Sequence, residues 1–104
     1  MSPVDVIIPI HGAREFTIRC IESVLAHTPP SARVVLADDA SRDPELVRFL
    51  DETAAREPHV ELRRNERNLG FVGTCNAAMA AADGRDVLLL NSDTVVTAGY
   101  LERL

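Results

Sequence analysis

Four short apolar runs, each ending in a polar tip and separated by helical patterns, constrain the fold of this chain more than any other feature. The first run, VDVIIPI at 4–10, is β-branched and predicts a buried strand. The second, RVVLA at 33–37, runs into Asp38, Asp39, Ala40 and Ser41. In the third, Val60 and Leu62 alternate with His59, Glu61 and Arg63, which predicts a less buried strand. The fourth, 87–90, is continuously apolar and meets Asn91, Ser92, Asp93 and Thr94, so it reads as a central strand buried on both faces.

Helical spacing fills the intervals. Phe16, Ile18, Cys20, Ile21, Val24 and Leu25 give an amphipathic helix over 15–26, ended by Pro29 and Pro30. Asp43 followed by Pro44 is an N-cap and first-turn signal, with Leu46, Val47, Phe49 and Leu50 facing inward and Pro58 closing the segment. The Ala-rich stretch 71–82 predicts a helix with Phe71, Cys75, Ala78, Met79 and Ala82 along its inner side, ended by Asp83 and Gly84. Pro9 lacks an N–H and marks where the first strand stops pairing. A last helix is expected to begin at 98–104, and its barely two turns without a C-cap suggest a domain cut short. The order β-α-β-α-β-α-β predicts an α/β fold, a doubly wound, mostly parallel sheet with right-handed crossovers.

Length and charge restrict the function. At 104 residues the chain can hold one small domain. It carries a net charge of −5, with eleven Arg and no Lys. An acidic chain without a basic stripe is not expected to bind nucleic acid, and an anionic ligand would need a divalent cation beside it. Without Lys there is no G-x-x-x-x-G-K phosphate loop and no Schiff-base chemistry. No apolar run spans a membrane and no signal peptide precedes the first strand, so a cytoplasmic location is expected, with peripheral attachment to the cytoplasmic face of a membrane left open. Cys20 and Cys75 lack C-x-x-C spacing and read as small buried residues in a reducing compartment.

In a parallel sheet the C-terminal strand ends share one edge, where open α/β sheets bind ligands. That edge should gather Pro9, Ile10 and His11, then Asp38, Asp39 and Ser41, then Asn91, Ser92, Asp93 and Thr94. The loop 65–70 precedes a helix whose free N–H groups can face the same crevice. Converging acidic tips of this kind point to a metal–nucleotide pocket, with Asp93 as the leading ligand.

The runs VDVIIPI, ADDAS, RNERNLGFVGTCNAAMAAADG and DVLLLNSDTVV, in this order, resemble the N-terminal half of a family 2 glycosyltransferase, most of all the rhamnosyltransferase-like members with an N-x-D-T ending. The resemblance implies the GT-A fold, a Rossmann-like nucleotide-sugar-binding half followed by an acceptor-binding half. It implies inverting transfer of a sugar from a UDP-, dTDP- or GDP-linked donor to a saccharide or lipid-linked acceptor, assisted by Mg²⁺ or Mn²⁺. Carried over by position, Pro9, Ile10 and His11 line the nucleoside pocket. Asp39, or Asp38 beside it, accepts a hydrogen bond from the base, as suits an imide N–H. Asn68, Gly70 and Asn76 match the N-x-G and the downstream Asn. Asn91, Ser92 and Asp93 occupy the D-x-D position, where Asp93 would hold the cation bridging the phosphates.

The pattern departs from the family at three places: Asn91 replaces the first Asp, His11 and Gly12 replace Tyr-Asn, and Cys75 replaces an Arg. The family's catalytic base lies in the acceptor half, so no catalytic residue is expected in this chain and little activity is expected of it alone. His11, His27 and His59 read as structural. Apolar surface left uncovered by a missing half would favour self-association. Two other classes compete: a Mg²⁺-binding receiver-like signalling domain, which needs its acid pair after the first strand and a Lys after the last, and a non-catalytic interaction module.

Overall fold

The computed structural model describes residues 3–103. The elements are β1 (Val4–Ile10), α1 (Arg14–His27), β2 (Arg33–Asp38), α2 (Pro44–Arg56), β3 (Val60–Arg64), α3 (Gly70–Ala82) and β4 (Asp86–Leu89), with a short 3₁₀ turn at Leu101–Arg103. The strands form one parallel sheet in the order β3-β2-β1-β4, so the predicted α/β, doubly wound arrangement is the observed one.

Period-two alternation divides the core between the two faces. Val6, Ile8 and Ile10 of β1, with Val34 and Leu36 of β2, pack on Cys20, Ile21 and Val24 of α1 and Leu46 and Leu50 of α2. The opposite face carries Ile7, Val35 and Ala37 against Ala78 of α3. Most of the large buried side chains therefore lie under α1 and α2. α2 begins as its sequence dictates, with the Asp43 carboxylate accepting the Glu45 N–H and Pro44 at the first turn. The N-terminal rim is closed by Asp5, which is buried and takes Arg33 Nη2 at 2.7 Å and Arg33 Nε at 3.0 Å, with Arg85 bonded to the same carboxylate.

Several expectations need correction. β4 is an edge strand, not a central one buried on both faces: Val87 is 36% and Leu89 42% exposed. The apolar run reflects a strand whose outer side lacks a neighbour among the described residues. Phe16 is 55% exposed, because the buried stripe of α1 is Thr17, Cys20, Ile21 and Val24, and successive residues are turned by about 100°. Phe71 and Met79 are also exposed, and α3 buries Thr74, Cys75, Ala78 and Ala82.

Pro9 does not end the pairing with β2, which continues through Ile10 opposite Asp38. Alternate residues of a parallel strand bond to opposite neighbours, and Ile7 O accepts the Leu90 N–H, so the bond missing at Pro9 faces β4, where pairing stops at Ile7 opposite Leu89. Of the helix expected over 98–104, of which Leu104 lies outside the described residues, only the 3₁₀ turn at Leu101–Arg103 forms, with no α-helix. Instead the segment after β4 lies along α1, with the Val96 N–H donating to Ser23 Oγ at 3.1 Å and Tyr100 bonded to Thr28 at 2.5 Å.

Candidate functional site: a carboxylate hub at the C-terminal rim

Asp38 and Asp39 are adjacent in sequence, and the geometry of extended backbone separates them. Successive side chains of a strand point to opposite faces. Asp38 faces the same side as Leu36, and its carboxylate accepts Arg64 Nε at 3.0 Å and the Ser41 N–H at 3.1 Å, with the Ser41 hydroxyl as a further donor. Arg64 reaches on to Asp51 of α2 at 3.0 Å. The Asp38 side chain is fully buried, so its carboxylate ties β2 to β3 and the 38–41 turn and does not face a ligand.

Asp39 turns toward α3. Its Oδ1 accepts the Leu69 N–H at 2.7 Å and Asn65 Nδ2 at 3.0 Å, and its Oδ2 accepts the Gly70 N–H at 3.1 Å. Asn68 Nδ2 donates to the Asp39 carbonyl at 2.6 Å, and the Asn65 amide also reaches Thr74 Oγ1 at 3.0 Å. His11 Nδ1 stands 3.6 Å from Asp39 Oδ2. Asp39 thus connects the ends of β1, β2 and β3, through its carboxylate to the loop after β3 and through its backbone N–H to the Ile10 carbonyl at 3.0 Å. It also occupies the N-terminal end of α3, where unpaired N–H groups and the helix dipole favour negative charge. Burial alone raises the Asp39 pKa, yet the Leu69, Asn65, Gly70 and Thr74 hydrogen bonds outweigh it and hold the carboxyl at about 2.

The loops bend sharply to allow this. Gly70 takes φ +79, which aims its N–H at Asp39. Ala13 (φ 50) and Ala40 (φ 55) hold left-handed conformations without being glycine, strain of the kind that gathers at functional sites.

A cavity of about 210 Å³ opens beside the hub, lined by His11, Gly12, Asp39, Ser41, Leu46 and Asn68 among others. A second, of about 610 Å³, adjoins it between the 40–42 and 64–68 loops. His11 and Asn68 therefore reach the cavity. Ile10 does not, since its side chain lies in the α1–α2 core and only its carbonyl, accepting the Asp39 N–H at 3.0 Å, takes part. Pro9 is likewise buried. Gly70 contributes its N–H, whereas Asn76 is exposed on the second turn of α3 and borders neither cavity.

Asn91, Ser92 and Asp93 follow β4 at the same rim, with β1 lying between β4 and β2. The Thr94 N–H donates to the Asn91 carbonyl at 3.0 Å, closing a turn, and Cys20 Sγ donates to that carbonyl at 3.6 Å. Asn91 and Asp93 are exposed and Ser92 is half-buried. Burial pushes the Cys20 thiol up to about 11, and the Asp93 charge nearby adds to the shift. Asp93 makes no ion pair, and no three His, Cys, Asp or Glu side chains gather as a metal site, among the described residues.

Sequence reasoning missed Asn65 and Thr74, which complete the hub, and Arg64, which neutralises Asp38. The available signal was weak: two Asn residues in one short loop before a glycine, next to an acid pair that needed partners.

Comparison with known proteins agrees with this fold. A crystal structure of S. aureus TarS 1-349 in complex with UDP superposes with a TM-score of 0.79 at 25% identity, covering 96% of this chain and 30% of that one. A mannosyltransferase from Pyrobaculum calidifontis, solved with GDP-Man and Mn²⁺, gives a TM-score of 0.75 at 25% identity over 91% of this chain and 28% of that one. The succinoglycan biosynthesis protein ExoO of Rhizobium meliloti (strain 1021) is 35% identical over 103 residues, 97% of this chain and 28% of its own length. The chain thus spans less than a third of each of these relatives. The family model described as Glycosyl transferase family 2 matches residues 5–104, and the chain belongs to that family.

Proposed function

We propose that this chain forms the nucleotide-sugar-binding part of a glycosyltransferase that moves a sugar from a nucleoside diphosphate donor to a saccharide or lipid-linked acceptor, with inversion at the transferred carbon. The observation that carries the reading is the Asp39 hub, which ties three strand ends beside an open cavity on the rim that also bears Asp93. The UDP complex of TarS and the GDP-Man and Mn²⁺ complex of the mannosyltransferase support a nucleotide donor and a divalent cation, Mg²⁺ or Mn²⁺. The N-x-D-T ending makes deoxyhexosyl donors of the rhamnosyl kind the first to try.

The residues present suit a hard cation, since Asp93 and Asn91 offer exposed oxygen ligands that would hold it. When bound there, the cation would supply Lewis-acid stabilisation of the charge that builds on the leaving diphosphate. In this reading the protein's own residues position the donor. Asp39 keeps the three strand ends in register, His11 and Asn68 border the nucleoside cavity, and Asp93 anchors the diphosphate end. A base for the acceptor hydroxyl must come from outside these residues, so the chain alone should turn over little substrate. The free, buried Cys20 and Cys75 suit a reducing, cytoplasmic setting.

The receiver-like alternative finds no support, because the acid pair closes β2 and is buried in structural bonds, while the end of β1 carries His11 and Gly12. Calorimetry with UDP, dTDP and GDP, with and without Mn²⁺, tests the proposal. At least one nucleotide should bind, Mn²⁺ should tighten it, and Asp93→Ala should abolish only the Mn²⁺-dependent gain. Failure of all three nucleotides to bind in the presence of Mn²⁺ would overturn it.

A further inference from the structure

Large apolar side chains gather at the start of α3 with little covering them. Leu69 is 43%, Phe71 60% and Val72 68% exposed, and the last two are the most exposed large apolar side chains among the described residues. Leu69 holds a helical conformation at the N-cap, and successive helical residues are turned by about 100°. The three side chains therefore fan out around the tip of the helix and do not line up as one stripe. A flat protein surface covers one side of such a tip, whereas a fluid lipid interface surrounds it.

The free charges beside the tip are mostly cationic. Arg67 belongs to the same loop, Arg42 lines the cavity of about 610 Å³ with it, and Arg63 lies on the α3 side of β3, paired with Ala37. All three are exposed and take part in no ion pair among the described residues. The neighbouring carboxylates are largely engaged: Asp38 and Asp51 with Arg64, Asp43 and Glu45 with Arg14, and Asp39 with its N–H donors. Glu66 stays exposed in the same cavity lining and opposes one of the three cations. Asp93 stands at the far side of the sheet, beyond β4. An excess of free positive charge thus borders the apolar tip in a chain of net charge −5.

We propose that this tip is a docking surface for an anionic lipid bilayer, in which Leu69, Phe71 and Val72 sink into the headgroup boundary while Arg42, Arg63 and Arg67 pair with lipid phosphates. The tip supplies apolar area, and each guanidinium offers paired N–H donors that match a phosphate. Stable attachment at an interface takes two such signals together. Because the Leu69 N–H is bonded to Asp39 at 2.7 Å, docking holds the rim of the Asp39 cavity at the bilayer surface. The inference goes beyond the nucleotide-donor reading and does not depend on it.

The test is co-sedimentation with phosphatidylcholine vesicles, with and without phosphatidylglycerol, in the absence of nucleotide. The protein should bind the vesicles that contain phosphatidylglycerol, and less so at about 1 M than at about 0.1 M salt, as the Debye length falls from about 10 to about 3 Å. Arg67→Gln should weaken binding about fivefold, the factor for one cation at an anionic surface. Phe71→Ser should weaken it about tenfold or more, through lost apolar burial. Both side chains are exposed, so the urea midpoints of these variants should match that of the unmodified protein. The chain has no Trp, so Phe71→Trp gives a single reporter whose emission should shift to the blue on binding. Phe16→Trp, on α1 across the sheet, should not shift. Failure to bind, equal binding to both kinds of vesicle, or unchanged emission from Phe71→Trp overturns the inference. So does a dimer, seen by light scattering, that Phe71→Ser dissolves, because the tip then meets a second copy of the chain. None of these outcomes touches the nucleotide reading, which calorimetry tests separately.

Discussion

Replacing Asp39 by Asn keeps the shape of the side chain and removes its charge. The Asp39 oxygens receive the Leu69 and Gly70 N–H groups at 2.7 and 3.1 Å and the Asn65 amide at 3.0 Å. An amide in the same place must turn its NH₂ toward one of these donors, and the helix N-terminus loses its compensating negative charge. The depression of the Asp39 pKa from 3.8 to about 2 gives the scale, since a shift of that size corresponds to about 2.5 kcal/mol of preference for the charged form. For a domain of this length that means a loss of about 10–20 °C in Tm.

The pH dependence has a definite sign. A folded-state pKa below the unfolded value stabilises fully above about pH 4 and loses its contribution as pH falls through about 2. Thermal and urea unfolding followed by circular dichroism at pH 7, 4 and 2.5 should therefore show the two proteins far apart at neutral pH and converging in acid. A difference below about 0.5 kcal/mol at pH 7, within the range of an ordinary surface substitution, would refute the hub. So would a gap that stays constant down to pH 2.5.

Two other substitutions probe the scaffold and the edge. Arg64→Ala leaves the fully buried Asp38 carboxylate without its cation and should cost about 3 kcal/mol in urea unfolding; a change near zero would mean that Ser41 alone satisfies it. The exposed Val87 and Leu89 on edge strand β4 should drive self-association, and Leu89→Lys should return the light-scattering mass to that of a monomer. An unmodified protein that stays monomeric at all concentrations would remove the basis for this expectation.

The hub also explains why the acid pair was only half legible before the structure was known. Nothing in ADDAS distinguishes Asp38 from Asp39, since both are acids at the end of an apolar run. Their roles differ because one points to the α1–α2 side, where Arg64 and Ser41 wait, and the other to the α3 side, where the Leu69 and Gly70 N–H groups do. The helix that Asp39 caps is α3, some thirty residues downstream, whereas Asp43 caps α2.

What the sequence by itself determined was local. The apolar runs became strands, Asp43 and Pro44 started α2, and Asp83 and Gly84 ended α3 with positive φ, because these outcomes depend on residues within one turn or one strand. Only the tertiary structure decided that β4 lies at the edge, that Phe16 and Phe71 face outward, and that Asp39 joins three strand ends while Asp38 is sealed beneath them. The physical reason is that burial and hydrogen-bond partnership depend on which elements become neighbours. A run such as VLLL has the same local preference at the centre of a sheet as at its edge, and only the strand order settles how much of it water can reach.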